Sequence, residues 1–297
     1  MFDFYSYSFD KYNNRRLRCA YLCVMENKKV WYVTGASKGL GLALVEKLLA
    51  EGYRVAATSR KLSSLPAVTD MFLPLEVDLS SEASIAASVK ATHDKFGSID
   101  VVVNNAGYGI GGAVEELSRT EVLQSFDVNV FAVISVMQQV MPYMRAQQSG
   151  HIINIASIAG VNGATGWSVY AASKAAVIAL SEVSAQDVKA LGIKVTAVAP
   201  GAFRTRFLTS ESLVLSEKKI DAYKDIQESH NRYLQMDGKQ AGDPVKAADA
   251  MITLAEMPEP PVVLFLGEDA YTRAKTKYDS SLAQLEQWKE LSASTQI

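Results

Sequence analysis

The chain has 297 residues, a formal net charge of −2 and 48% hydrophobic residues. That suits one large α/β domain or two small ones, and it excludes general disorder and a basic footprint for nucleic acid. No apolar run reaches the ~18 residues of a membrane span, and the two cysteines, Cys19 and Cys23, both precede the first strand, which points to a reducing, cytoplasmic compartment.

Residues 1–24 differ in character from the rest of the chain, aromatic at first and then basic at Arg15, Arg16 and Arg18. They lack a secretory apolar region and cleavage site, and Asp3 and Asp10 sit poorly with a transit peptide. A disordered tail or an overextended start is expected, with Met25 as a natural beginning. From Lys28 onward, short apolar runs predict strands at 28–34, 53–58, 72–77, 99–104, 150–156, 193–199 and 261–266. Helical periodicity lies near 39–51, 82–96, 119–147, 168–191 and 243–257. The alternation predicts a doubly wound, Rossmann-type parallel sheet in a single three-layer α/β/α domain over 25–297. Residues 202–242 break the pattern. Placed after the 193–199 strand, they form either a lid over the carboxyl ends of the strands or a solvent-facing loop. Beyond Gly267, Tyr271, Tyr278, Leu282, Leu285 and Trp288 have helical spacing and are expected to pack on the body, a partner-binding helix being the other reading. His93, His151 and His230 are scattered, are expected at the surface or at helix ends, and suggest no metal site.

Two constellations carry chemistry. The first strand runs directly into Gly35-Ala36-Ser37-Lys38-Gly39-Leu40-Gly41 and then a helix. Strand, glycine turn and helix is the context in which a dinucleotide pyrophosphate meets a helix N-terminus. No Gly-Lys-Ser/Thr comes next, so it is not a Walker loop. In the second, Tyr170 and Lys174 are four apart on one helix and face the same way. A cation favours the ionised phenol, and Ser157, thirteen residues upstream, supplies a hydroxyl to hold a carbonyl or alcohol oxygen. That is an acid/base unit for carbonyl–alcohol interconversion.

Thr34-Gly35-x-x-x-Gly39-x-Gly41, Asn104-Asn105-Ala106-Gly107, Asn129, Ser157, Tyr170-x-x-x-Lys174 and Pro200-Gly201 stand in the order seen in short-chain dehydrogenases/reductases, which the chain resembles from about Lys28 to Phe207 and more loosely to Gly267. The segment 200–205 and the long tail resemble the 17β-hydroxysteroid-dehydrogenase-like and retinol-dehydrogenase-like branch. The resemblance implies a catalytic set of Asn129, Ser157, Tyr170 and Lys174. Tyr170 would exchange the proton, Lys174 would lower the phenol pKa and hold the nicotinamide ribose, and Ser157 would bind the substrate oxygen. Asn129 would support a proton relay. Cofactor contacts would come from Gly35, Ser37, Lys38, Gly39, Leu40, Gly41, Arg60, Asp78, Leu79, Asn105, Ala106, Gly107, Tyr170, Lys174, Pro200, Gly201, Phe203 and Thr205. The second strand ends in Ser59-Arg60-Lys61 with no acidic residue, so Arg60 and Lys38 suit the 2′-phosphate of NADP (NADPH). If Arg60 is merely solvated, the cofactor is NAD. Asp78 would touch the adenine or cap the following helix, a role open equally to Ser80 or Ser81. The expected function is an NADP-preferring oxidoreductase for a lipophilic secondary alcohol or carbonyl, because the lid contributes Phe203, Phe207, Leu208, Leu213, Val214 and Leu215. The alternatives are a 3-oxoacyl-carrier-protein reductase and a non-catalytic NADP-sensing protein on the same fold. Family members associate through long helices, here 119–147 and 168–191, so a homo-oligomer is an option.

Overall fold

Apolar, largely β-branched runs build the central sheet, because strands covered on both faces bury every side chain. The computed structural model describes residues 28–295, so the expectations for residues 1–24, Met25, Cys19 and Cys23 lie outside the described residues. The central strands are Val30–Val33 (β1), Arg54–Ser59 (β2), Phe72–Glu76 (β3), Val101–Asn104 (β4), Gly150–Ile155 (β6), Ile193–Pro200 (β7) and Val263–Leu266 (β9). They pair in parallel in the order β3-β2-β1-β4-β6-β7-β9. A second, two-stranded sheet joins Gly109–Gly111 (β5) to Leu213–Leu215 (β8).

The helices are Gly39–Ala50 (α1), Glu82–Phe96 (α2), Arg119–Phe126 (α3), Ala132–Gln147 (α4), Ser168–Asp187 (α5), Lys224–Gln235 (α6), Pro244–Glu256 (α7), Glu268–Gln287 (α8) and Lys289–Ala293 (α9). On one face of the sheet Leu44, Val45 and Leu48 of α1 and Ala248, Met251 and Ile252 of α7 cover Trp31, Val33, Val55 and Val103. On the other face Val89 of α2, Val136 and Val140 of α4 and Val177 of α5 cover Tyr32, Ala56, Val102 and Ile152. Successive side chains of β1 therefore enter opposite core layers, as the pleat requires. Local signals agree. Ser118 and Glu121 form a reciprocal capping box at α3, Ser81 caps α2 and Gly97, at φ 80°, ends it.

The expected single domain with helices on both faces is what forms. The expected 119–147 helix is continuous but contains a π-helical turn, Asp127–Phe131, between α3 and α4. Among the described residues it is the one helix long and apolar enough to cross a membrane. Here Val133, Val136, Val140 and Met144 of that helix are buried against the sheet. Two of the three histidines are not at the surface. His151 lies inside β6 with Nε2 3.0 Å from the Thr196 hydroxyl, and His230 on α6 is equally buried. Only His93 is at a helix end, against Tyr143.

The tail departs from expectation as well. Tyr271, Leu282, Leu285 and Trp288 are exposed, whereas Tyr278 sets its ring edge-on to Phe265 of β9 at 6.1 Å as expected, and the small Ala270 and Ala274 seat the start of α8. Small side chains let the helix approach β9 closely, which hydrophobic spacing alone does not announce.

Candidate active site

The sheet order reverses between β1 and β4, the place where an open α/β sheet leaves a crevice beyond its strand ends. A cavity of about 1020 Å³ opens there, running from the ends of β2 and β3 to the 202–242 segment. Its floor is the glycine loop. Gly35 has φ +65°, and a Cβ on it would lie 2.7 Å from the Ala106 Cα, so the loop needs glycine on two counts. Thr34 ties this loop to the next turn: its hydroxyl accepts from the amides of Asn105 (3.0 Å) and Ala106 (3.1 Å). The Asn105 side-chain Nδ2 donates to the carbonyls of Thr34 and Gly35, both at 3.0 Å. At the start of α1, Lys38 is the N-cap and offers no side-chain cap, so the first-turn amides have no side-chain partner. Donors pointing out of a helix N-terminus fit a phosphate group.

Of the expected cofactor contacts, Gly35, Ser37, Lys38, Gly39, Leu40, Arg60, Asp78, Leu79, Asn105, Ala106, Gly107, Pro200, Gly201, Phe203 and Thr205 all line the cavity. Gly41 does not. It sits behind the wall, where a Cβ would strike the Asn105 amide and fall 2.6 Å from the Gly35 carbonyl. Asp78 accepts from the Ser80 amide (2.9 Å) and hydroxyl (2.7 Å), which holds its carboxyl below the usual range, and Ser81 rather than Asp78 caps α2. Lys38 is engaged by the 202–242 segment: its Nζ donates to the Glu211 carbonyl at 2.8 Å and lies 3.5 Å from the Glu211 carboxylate. Arg206 pairs with the same carboxylate.

Ser157, Tyr170 and Lys174, the residues expected to carry the chemistry, line the same cavity. Tyr170 and Lys174 are 8% and 5% exposed, buried on successive turns of α5. The Lys174 Nζ donates to the Ile155 carbonyl at 2.9 Å and lies 5.9 Å from the Tyr170 ring centre. Burial pushes the phenol up to about 12, the Ser157 hydroxyl opposing it, and pushes the lysine down to about 8. Desolvation outweighs the Ser157 hydroxyl, and the expected lowering of the phenol by the Lys174 ammonium does not appear. Asn129 is fully buried in the π turn and is not on the cavity wall. Its side chain accepts from the Tyr108 amide at 3.0 Å, donates to the Tyr108 carbonyl at 2.9 Å and reaches the Ser173 hydroxyl at 3.3 Å. Gly107 keeps the two sets in register, because a Cβ there would fall 2.9 Å from Asn129 Oδ1 and 3.3 Å from Lys174 Nζ.

The 202–242 segment covers this end of the cavity. Phe203, Phe207, Leu208 and Val214 line it, and the Phe207 ring is 6.0 Å from that of Tyr170. Leu213 and Leu215 do not line it, since β8 turns them onto Gly109 and Gly111, where side chains would collide. Trp167, Tyr233, Met236, Gln240 and Arg273 also line the cavity, and no sequence motif singles them out for the site. They are scattered over the chain from the β6–α5 loop to α8.

Residues 29–213 match the family model described as short chain dehydrogenase. The oxidoreductase BOA17 of Botryotinia fuckeliana is 36% identical over 271 residues, 89% of this chain and 98% of its own length. A solved short-chain dehydrogenase from Streptomyces avermitilis superposes with a TM-score of 0.84 at 34% identity, over 91% of this chain and 99% of that one. ElxO, solved with NADP bound, superposes with a TM-score of 0.68 at 26% identity, over 82% of this chain and 99% of its own.

Proposed function

The chain belongs to the short-chain dehydrogenase family of NAD(P)-dependent oxidoreductases, and from that premise we propose that it is an NADP-preferring enzyme interconverting a lipophilic carbonyl compound and its secondary alcohol. The observation that carries this reading is the convergence of Tyr170, Ser157 and Lys174 with the glycine loop on one cavity. The nicotinamide supplies or accepts the hydride when bound. Everything else falls to the chain. Ser37, Gly39 and Leu40 present the donors at the start of α1 to the pyrophosphate. Ser157 hydrogen-bonds the substrate oxygen and stabilises charge developing on it. Tyr170 gives that oxygen a proton in reduction and takes it back in oxidation. Its high pKa keeps the phenol protonated through the neutral range, the state reduction needs. Lys174 sits beside the phenol, and Asn129 holds the Gly107–Tyr108 turn against Lys174.

NADP preference is supported by Arg60 on the cavity wall at the end of β2, where no acidic residue takes the ribose hydroxyls, with Lys38 of the glycine loop shared with Glu211. A lipophilic substrate is supported by Phe203, Phe207, Leu208 and Val214. Leu123, Phe131 and Val183 are exposed on α3, the π turn and α5 and suit association of two copies through these helices. A cytoplasmic location accords with cysteines confined to residues 19 and 23. NADPH consumption with a panel of steroids, retinoids, sugars and acyl thioesters tests the reading. Turnover of apolar ketones or aldehydes is expected. Tight NADPH binding with no consumption on any carbonyl would mark a cofactor-sensing protein instead.

A further inference from the structure

The cavity is lined by five cations: Lys38, Arg60, Lys174, Arg206 and Arg273. Four have a place. Lys38 and Arg206 pair with Glu211, Arg60 stands at the ribose end, and Lys174 is buried beside Tyr170 and donates to Ile155. Arg273 has none of these. It comes from α8, at the far side of the cavity from Arg60, and a reciprocal pair of bonds fixes it. Its Nη2 donates to the Asn162 carbonyl, and the Asn162 amide donates to the Arg273 carbonyl at 3.1 Å. Asn162 lies five residues after Ser157, so this clamp holds the guanidinium against the loop that carries the substrate-binding hydroxyl. Among the described residues no carboxylate forms an ion pair with Arg273, and its remaining N–H groups have no partner.

The Arg273 side chain is half-buried on the cavity wall with N–H groups left free to meet an anion. Its planar fork matches the two oxygens of a carboxylate or phosphate.

We propose that Arg273 binds an anionic oxygen group, carboxylate or phosphate, carried by the substrate, and so selects acidic lipophilic ketones over their neutral counterparts. This rests on the carbonyl–alcohol reading above and names its substrate class. Phe203, Phe207, Leu208 and Val214 take the apolar body, Ser157 and Tyr170 take the ketone, and Arg273 takes the charged end.

The test uses the full chain with NADPH and a series of oxostearic acids with the ketone at different points, each beside its methyl ester. Acetoacetyl-coenzyme A serves as the phosphate-bearing probe. The best acid should exceed its ester at least tenfold in kcat/KM, chiefly through KM. Arg273→Gln should bring that ratio near one, and Arg273→Lys should restore part of it. An Arg273-dependent KM for acetoacetyl-coenzyme A alone would support the proposal with phosphate as the anion. Equal use of acids and esters by the wild type, without such a KM, overturns it, as does a preference that survives in Arg273→Gln. Calorimetric titration with stearate and with coenzyme A requires no turnover. Binding that Arg273→Gln abolishes upholds the anion site even if no ketone is reduced, and in that case only the reductase reading falls. Absence of binding to either probe overturns the anion site.

Discussion

At the scale of single residues, the acid/base assignment depends on one oxygen. Tyr170→Phe keeps the ring that packs on Phe207 and removes the hydroxyl. It should retain NADPH binding and lose about 10²–10⁴-fold in kcat. A variant that keeps most of its kcat at saturating NADPH would remove Tyr170 from the reaction. Arg60 bears on the cofactor instead. Arg60→Asp takes a cation from the proposed phosphate site and places an anion there. Wild type should prefer NADPH, and the variant should lose at least about tenfold in kcat/KM for NADPH while NADH use holds or improves, since a charge-assisted contact is worth roughly 1.5–3 kcal/mol. An unchanged cofactor ratio would make Arg60 a solvated surface residue. Tyr170, Lys174, Ser157 and the glycines are readable from the sequence because they are close along the chain or set in a strand–turn–helix context. Trp167, Gln240 and Arg273 are not, because only the folded chain assembles them.

At the scale of elements, the seven central strands and five helices are legible from apolar runs and periodicity to within a few residues. Three features are not. The π turn at Asp127–Phe131 has no signal in the apolar runs, and within it Asn129 lies buried against Tyr108. The β5–β8 pair joins three-residue strands about a hundred positions apart, and β5 has glycine at both ends. The first half of α8 is seated by two alanines, which carry little hydrophobic signal. Strand β6 carries a pH dependence of its own. Burial holds His151 down to about 3 from an ordinary value of 6.5. Between those values the unfolded chain binds a proton that the native one refuses, so stability falls as pH drops below about 6.5. Melting temperature should therefore decline on acidification, and less steeply in His151→Gln. Parallel declines in the two proteins would show that other groups dominate.

At the scale of the whole molecule, α8 is two things in one helix. Its first turns seat Ala270 and Ala274, and the Asp269 carboxylate accepts from the Ala202 amide at 2.9 Å. Its later turns expose Leu282, Leu285 and, beyond the helix end, Trp288 and Leu291. Ending the chain after Ser281 should leave the melting temperature within about 2 °C of wild type. Ending it after Gly267 should lose ~2 kcal/mol or more, about 4–8 °C for a chain of this size. Equal melting temperatures for the two truncations would show that α8 contributes nothing to the fold. A further property belongs to the bridge from Lys38 to Glu211. It joins the lid to the glycine loop at the mouth of the crevice, with both side chains partly in solvent. Dissolved ions screen such a pair over about 8–10 Å at ordinary concentrations. Nucleotide exchange that requires this bridge to part should quicken as ionic strength rises. In stopped-flow displacement, a Glu211→Gln protein should release NADH faster at low salt and show a shallower response to added salt, whereas identical salt curves for the two proteins would mean that the lid does not time the exchange.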